Sequence, residues 1–395
     1  MKKLNFLPVL VLVAGLAACN KDGVIYDDDD IIGGIVPEVP VTPEVPDKPT
    51  QDADGVFAGP SYLYNSTTRY TLPGRPVLLT PVVDGSSYEW RVNGEAADCS
   101  TSTFKFTPDK AGEYTVSVTI DKTVTGSVKV VCEPYSEADC YRAGSSKTLI
   151  VYEYIAAPGQ FINEKIELGS ADEAAKWAAE RLAKGQLVSL GAFGGYITVG
   201  FGHSIRDFVA KGNAFTNAGG ASNEPGIVYV MQDVNRNGLP DDEWYELRGS
   251  AYSAKGTVQN YAVTYYRPDA VKSPVKWVDK FGVEGQVDYV EAFHKQDCYY
   301  PSWIKADSYT LRGTRLPYNA YKDDTGQWIT PPFESGYVDN TGSNQDEFHI
   351  SDAMFADGAA VSLDFIDFIK IQTGVCGNYG VLGEISTEVT EVHEL

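Results

Sequence analysis

A mainly β protein is what this sequence predicts: a small immunoglobulin/PKD-like β-sandwich followed by a larger, jelly-roll-like β-sandwich with one or two helices. Three observations carry the prediction. The chain holds 25 Tyr, 16 Phe and 38 Gly but only 3 Met, a balance that suits pleated, half-buried surfaces better than helices. Its apolar residues recur at every second position in short runs bounded by turn residues, which is strand periodicity. Only one stretch carries a full set of helix signals. With 43% hydrophobic residues among 395, there is material for about two domains.

At the N-terminus, Met1-Lys2-Lys3, an apolar run from Leu4 to Ala18, and Leu16-Ala17-Ala18-Cys19 form the pattern of a bacterial lipoprotein signal. Two lysines precede about 15 apolar residues, a length that suits a signal segment and falls short of a membrane span. The expectation is a signal peptide over 1–18, a lipid anchor at Cys19, and a mature protein held at the membrane only by its acyl chains. Residues 19–55 read as linker, with the acidic run Asp27-Asp28-Asp29-Asp30 and then prolines at nearly every third position from Pro37 to Pro49. Such a tract forms an extended rod of ~3.1 Å per residue and would hold the next domain roughly 40 Å from the membrane. Acidic residues soon after the lipid cysteine resemble the export signals of surface-displayed lipoproteins in some Gram-negative bacteria. The expected location is therefore the outer membrane, facing outward.

Residues 56–133 alternate through Pro76–Thr80, Tyr88–Val92, Thr103–Phe106, Glu113–Ile120 and Gly126–Val131, with Asp84-Gly85, Asn93-Gly94 and Thr107-Pro108-Asp109 as turns. This spacing predicts a small antiparallel sandwich. Trp90 with Gly94 after it, and Gly112-Glu113-Tyr114-Thr115-Val116, resemble the PKD and immunoglobulin-like modules of bacterial surface proteins. The resemblance implies that Trp90 packs the core, that Tyr114 secures a corner, and that the module serves as a spacer.

Residues 140–395 should carry the function. Ser170-Ala171-Asp172-Glu173 is a capping box, Ala-rich sequence with Trp177 and Leu182 follows, and Gly185 sits at the C-terminal cap position, so a helix is predicted there. Elsewhere strand follows strand: Lys147–Tyr154, Tyr196–Phe201, Gly226–Met231, Glu243–Leu247, Tyr261–Tyr266 and Phe365–Ile371.

A net charge of −22, with no basic cluster, makes nucleic acid and anionic lipid headgroups poor partners. Beyond Cys19, five cysteines remain, too widely spaced for a disulfide scaffold, and no Cys-x-x-Cys is present; one optional bridge is expected. There is no Gly-x-Ser-x-Gly, His-Glu-x-x-His or phosphate-cradling glycine loop, and the histidines have no nameable partner, so the chain is read as a non-enzyme. Two constellations stand out. In Asp233-Val234-Asn235-Arg236-Asn237-Gly238, oxygen-bearing side chains alternate before a glycine, as in the first half of a calcium-wrapping loop. Asp241, Asp242 or Glu243 would have to complete the shell, with Asp241 and Glu243 the leading candidates, and a structural Ca²⁺ is one reading. The other is that Asn237-Gly238 simply turns a hairpin. The second constellation is aromatic: Tyr299, Tyr300, Trp303, Tyr318, Tyr321 and Trp328, with Tyr309, Phe333 and Tyr337 nearby, lie in a Pro-, Gly- and Asn-rich region. Rings in loops either bind flat or sugar ligands or seal the ends of the sandwich.

Leu190–Phe201, Asn213-Ala214-Phe215, Glu224–Val230 and Gly383–Glu388 together resemble the large domain of PKD-bearing cell-surface proteins. Members of that group are similar to proteins found beside outer-membrane cobamide transporters, including surface lipoproteins of the BtuH type. The resemblance implies a non-catalytic surface lipoprotein that captures a cobamide (vitamin B12) and passes it to a TonB-dependent transporter and its lipoprotein partners. Rings could pack the corrinoid faces while Asn, Asp and Arg bond its amides. Glycan binding within a polysaccharide-utilisation system, where the same rings stack on sugars, and a structural adhesin are the alternatives.

Overall fold

The first unit folds because its alternating segments can bury one face each. The computed structural model describes residues 55–292, 294–342 and 346–395; the expected signal peptide, Cys19 and nearly all of the expected linker lie outside them. Thr68–Thr71, Val124–Cys132, Gly112–Ile120, Tyr88–Val92 and Glu95–Ala96 form a five-stranded sheet in that order, and Val77–Leu79 pairs with Phe104–Phe106 opposite. Val116, Val118, Ile120, Val128 and Val130 point inward with Trp90, Leu79 and Phe57. The Trp90 indole donates to the Thr101 carbonyl at 2.9 Å, and the Tyr114 hydroxyl donates to the Lys110 carbonyl at 2.8 Å. Both are structural positions, as the sequence indicates.

The larger unit is built on two antiparallel sheets. Six strands run in the order Ala353–Met354, Tyr245–Leu247, Gly226–Met231, Ile366–Thr373, Tyr196–Ile205 and Ile150–Ile155. Four more, Glu284–Val287, Val275–Asp279, Val258–Tyr266 and Ser308–Arg315, form the second sheet. Val228, Val230, Ile197, Val199, Ile369 and Ile371 from the first sheet meet Tyr261, Val263, Tyr265 and Leu311 from the second in the main core. The helix Ala171–Ala183 is capped as its sequence predicts: the Ser170 side chain accepts from the Glu173 N–H. It buries Ala174, Ala175, Ala178, Ala179 and Leu182, and Trp177 stacks on Tyr154 at 5.8 Å. No described helix is long and apolar enough to cross a membrane.

The small sandwich is not a free spacer. The segment leading into its first strand lies on the large unit, where the Leu63 N–H donates to the Glu153 carboxylate and the Tyr62 N–H to the Tyr196 hydroxyl, both at 2.9 Å. Arg75 reaches Glu137 at 2.9 Å and Gln232 at 2.6 Å. The two sandwiches belong to one compact unit. All five described cysteines are free thiols, so the optional bridge is not formed.

Candidate ligand-binding cleft

In the six-stranded sheet, residues directly opposite one another share a face. Register places Glu246 opposite Tyr229, Tyr229 opposite Lys370, Lys370 opposite Thr198, and Thr198 opposite Glu153. One row of side chains therefore crosses five strands on the face turned away from the main core. The small sandwich covers the Glu153 end. Glu246, Tyr229 and Lys370 floor a cleft of about 260 Å³ whose walls come from both units, among them Phe57, Arg69 and Leu79 from the small sandwich and Trp244 and Tyr252 from the large one.

Lys370 occupies the middle of the row and is only 8% exposed. Its ammonium lies 4.5 Å from the Trp244 ring centroid, 4.7 Å from that of Tyr229 and 5.6 Å from that of Tyr196. The quadrupoles of the rings favour a cation at such positions. No described side chain or carbonyl gives this ammonium a hydrogen bond or an ion pair. Burial lowers the Lys370 pKa to about 8, against the pull of Glu153 and Glu246.

The carboxylates around it are each engaged. Glu153, fully buried, accepts from the Leu63 N–H, the Tyr196 hydroxyl and the Thr198 hydroxyl. Glu243 pairs with Arg69 at 3.0 Å, closing the seam between the two units. Glu246 accepts from the Thr314 hydroxyl at 2.5 Å, and burial raises its pKa to about 7. Two buried atoms at the cleft have no partner among the described residues, the Trp244 indole nitrogen and Asp242 Oδ1. A ligand entering here meets ring surface, a donor ammonium and acceptor carboxylates.

The expected aromatic site divides. Tyr299, Tyr300 and Trp303 are interior, at 0%, 1% and 4% exposure. Each polar tip donates to a carbonyl: Tyr299 to His294, Tyr300 to Ala306, and Trp303 to Tyr154. This corrects their reading as ligand contacts, since rings packed on all sides and satisfied at their tips offer no face to a ligand. Tyr318 and Tyr321 are exposed, and Trp328 is half-buried against Tyr379 with Lys322 over its ring. Those three stay at the surface, apart from the cleft lining.

Around Asp233 the backbone does close into a loop. The Asn237 and Gly238 N–H groups donate to the Asp233 carboxylate, and the side-chain amides of Asn235 and Asn237 donate to Asp241. Arg142 lies 3.4 Å from Asp233. Four of the five residues considered for Ca²⁺ thus meet, whereas Glu243 turns to Arg69 and forms part of the cleft instead. Among the described residues, the group of three or more ionisable side chains whose ligand atoms fall within 4.8 Å of one another is a different one, Glu224, Asp339 and Glu388. Its geometry could accommodate a divalent cation. Burial raises the pKa of both Glu224 and Asp339. Asp339 accepts from the Asn213 and Glu388 N–H groups, and Glu224 from that of Ser386.

Sequence reasoning missed Lys370, Glu246, Trp244 and Arg69. The available signal was a lysine inside the mostly apolar run Phe365–Ile371, flanked directly by Ile369 and Ile371, a place where an ammonium needs compensation.

No family model and no curated protein matches the chain. Among solved structures, a SusE-like protein aligns over 82% of this chain and 93% of its own, at 9% identity and a TM-score of 0.21. A structure of promiscuous carbohydrate-binding modules from the β-sandwich superfamily aligns over 83% and 94%, at 12% identity and a TM-score of 0.14. SGBP-B of the Bacteroides ovatus mixed-linkage glucan utilization locus, in complex with a mixed-linkage heptasaccharide, aligns over 75% and 68%, at 10% identity and a TM-score of 0.15. Likeness at these scores carries no argument about what this chain binds.

Proposed function

We propose that this chain is a non-catalytic, lipid-anchored surface protein that binds a carbohydrate in the cleft between its two sandwiches and presents it to a TonB-dependent outer-membrane transporter. The observation that carries the reading is the cleft itself. It combines ring surface from Tyr229, Trp244 and Tyr252 with donors and acceptors of both charges, Lys370, Arg69, Glu243 and Glu246. Sugars present apolar C–H faces and hydroxyls that both donate and accept, so a mixed lining of this kind matches them. The anchor and the surface location rest on the Met1–Cys19 pattern.

Size separates this reading from cobamide capture. At about 260 Å³ the cleft lies just below the range of about 300–1,000 Å³ typical of small-ligand sites. A corrinoid with its side arms is far larger than a sugar residue, so this volume favours the smaller ligand.

The test is a glycan array together with a cyanocobalamin titration on the same non-lipidated protein, each repeated with Trp244→Ala. Sugar binding that weakens about tenfold or more in the variant, with no response to cyanocobalamin, supports the reading. Saturable cyanocobalamin binding with a silent array would replace it by cobamide capture.

A further inference from the structure

The charges at the cleft do not cancel locally. Glu153 has three donors, Glu243 has Arg69, and Glu246 has the Thr314 hydroxyl. Lys370 feels Glu153 and Glu246 along the row but pairs with neither: it is a cation more than nine-tenths buried, lining the cleft among three rings, with no hydrogen-bonded or ion-paired acceptor among the described residues. The ammonium stands 4.5 Å over the Trp244 ring, whose own indole N–H is buried without a partner among the described residues. An ammonium so far out of water is costly unless an acceptor reaches it, and an anionic acceptor compensates it best.

We infer that the sugar taken by this cleft is an acidic one, and that its carboxylate or sulfate group is held by the Lys370 ammonium beside the Trp244 ring. The inference rests on the carbohydrate reading above and narrows it from sugars in general to uronic acids and sulfated sugars. Lys370 is fixed for this role by its neighbours across the sheet, Tyr229 on one side and Thr198 on the other. Its ammonium already sits among three rings on a side chain only 8% exposed, so little side-chain freedom remains to be lost when an anion arrives. Negative charge nearby does not repel the newcomer fully. Glu243 is paired with Arg69, and burial raises the Glu246 pKa to about 7, so that about half of it is neutral at pH 7.

The experiment is calorimetric titration of the full non-lipidated protein with matched pairs: trigalacturonate against its methyl-esterified form, and a sulfated galactose disaccharide against its desulfated form. Wild type, Lys370→Met and Lys370→Arg are compared. The expected result is that one acidic member binds about tenfold or more tighter than its neutral counterpart, that Lys370→Met removes the advantage, and that Lys370→Arg keeps part of it. Whether the uronate or the sulfate pair shows the advantage identifies the anion. Equal binding of acidic and neutral forms to wild type overturns the inference and leaves the carbohydrate reading standing, as does an advantage that survives in a folded Lys370→Met. No binding of any sugar in the panel or on the array at millimolar concentration overturns both. The wild-type pairs decide the matter even if Lys370→Met fails to fold.

Discussion

Buried carboxylates set how this molecule should respond to pH. Burial raises the pKa of Glu224 and Asp339 above their ordinary values of 4.5 and 3.8, and brings Glu384 to about 7. A carboxyl whose folded-state pKa lies above its unfolded value binds more protons folded than unfolded. Its stabilising contribution is complete below the unfolded pKa and is lost as pH rises through the folded one. The melting temperature should therefore fall steadily between about pH 5 and about pH 8, and Glu224→Gln should flatten the slope. A thermal scan series across that range checks it, and a melting temperature that rises over the same window would contradict the burial argument. The sequence shows 54 acidic residues but not which of them are inside, because burial is decided by strands that meet only in the folded chain. The aromatic residues were hard to sort for a related reason. Tyr and Trp carry an apolar body and one polar tip, so a ring that stacks on a ligand and a ring that donates to a backbone carbonyl in the core look alike in sequence. Trp303 and Tyr321 part only in the folded chain, one buried at 4% exposure and the other open at 52%.

Short elements were the most legible part of the chain. The helix Ala171–Ala183 follows from local chemistry, a serine cap, acidic residues in the first turn and a glycine at φ +64° just past its end. The strands of the small sandwich were readable because alternation and turn residues agree. Less visible was why Gly191 to Gly195 is so rich in glycine. A Cβ on Gly195 would stand 1.8 Å from the Leu190 carbonyl oxygen and 2.4 Å from the Ala157 nitrogen, both backbone atoms that cannot swing aside. The segment feeds the strand Tyr196–Ile205, the neighbour of the Lys370 strand, so a shift here disturbs the floor of the cleft. Gly195→Ala should lower unfolding stability by about 3 kcal/mol or more. Urea denaturation measures it, and a cost below about 0.5 kcal/mol would mean that the turn is looser than described.

For the molecule as a whole, the two sandwiches act together, and nothing in either segment alone announces this. The sequence suggests a spacer followed by a binding domain because each has its own periodicity; the row from Glu246 to Glu153 is assembled from strands far apart in the chain, and one end of it is finished by the small unit. Removing residues before about 136 would strip the Leu63 N–H from the fully buried Glu153 and take away one wall of the cleft. A large-unit fragment should therefore be less stable than the intact protein by roughly 3 kcal/mol or more, since a buried carboxylate then lacks a donor. Differential scanning calorimetry of the two proteins compares them, and equal melting temperatures would restore the spacer view.

The strand that enters the small sandwich, Thr68–Thr71, lies parallel to the strand that leaves it, with Thr68 opposite Lys129 and Thr71 opposite Cys132. That pairing gives the module a mechanical character. Tension drawn along the two strands in opposite directions loads the whole ladder in shear, so its bonds must rupture together, whereas an antiparallel pair pulled from one end would unzip bond by bond. The module is thus wired to resist stretching along the chain.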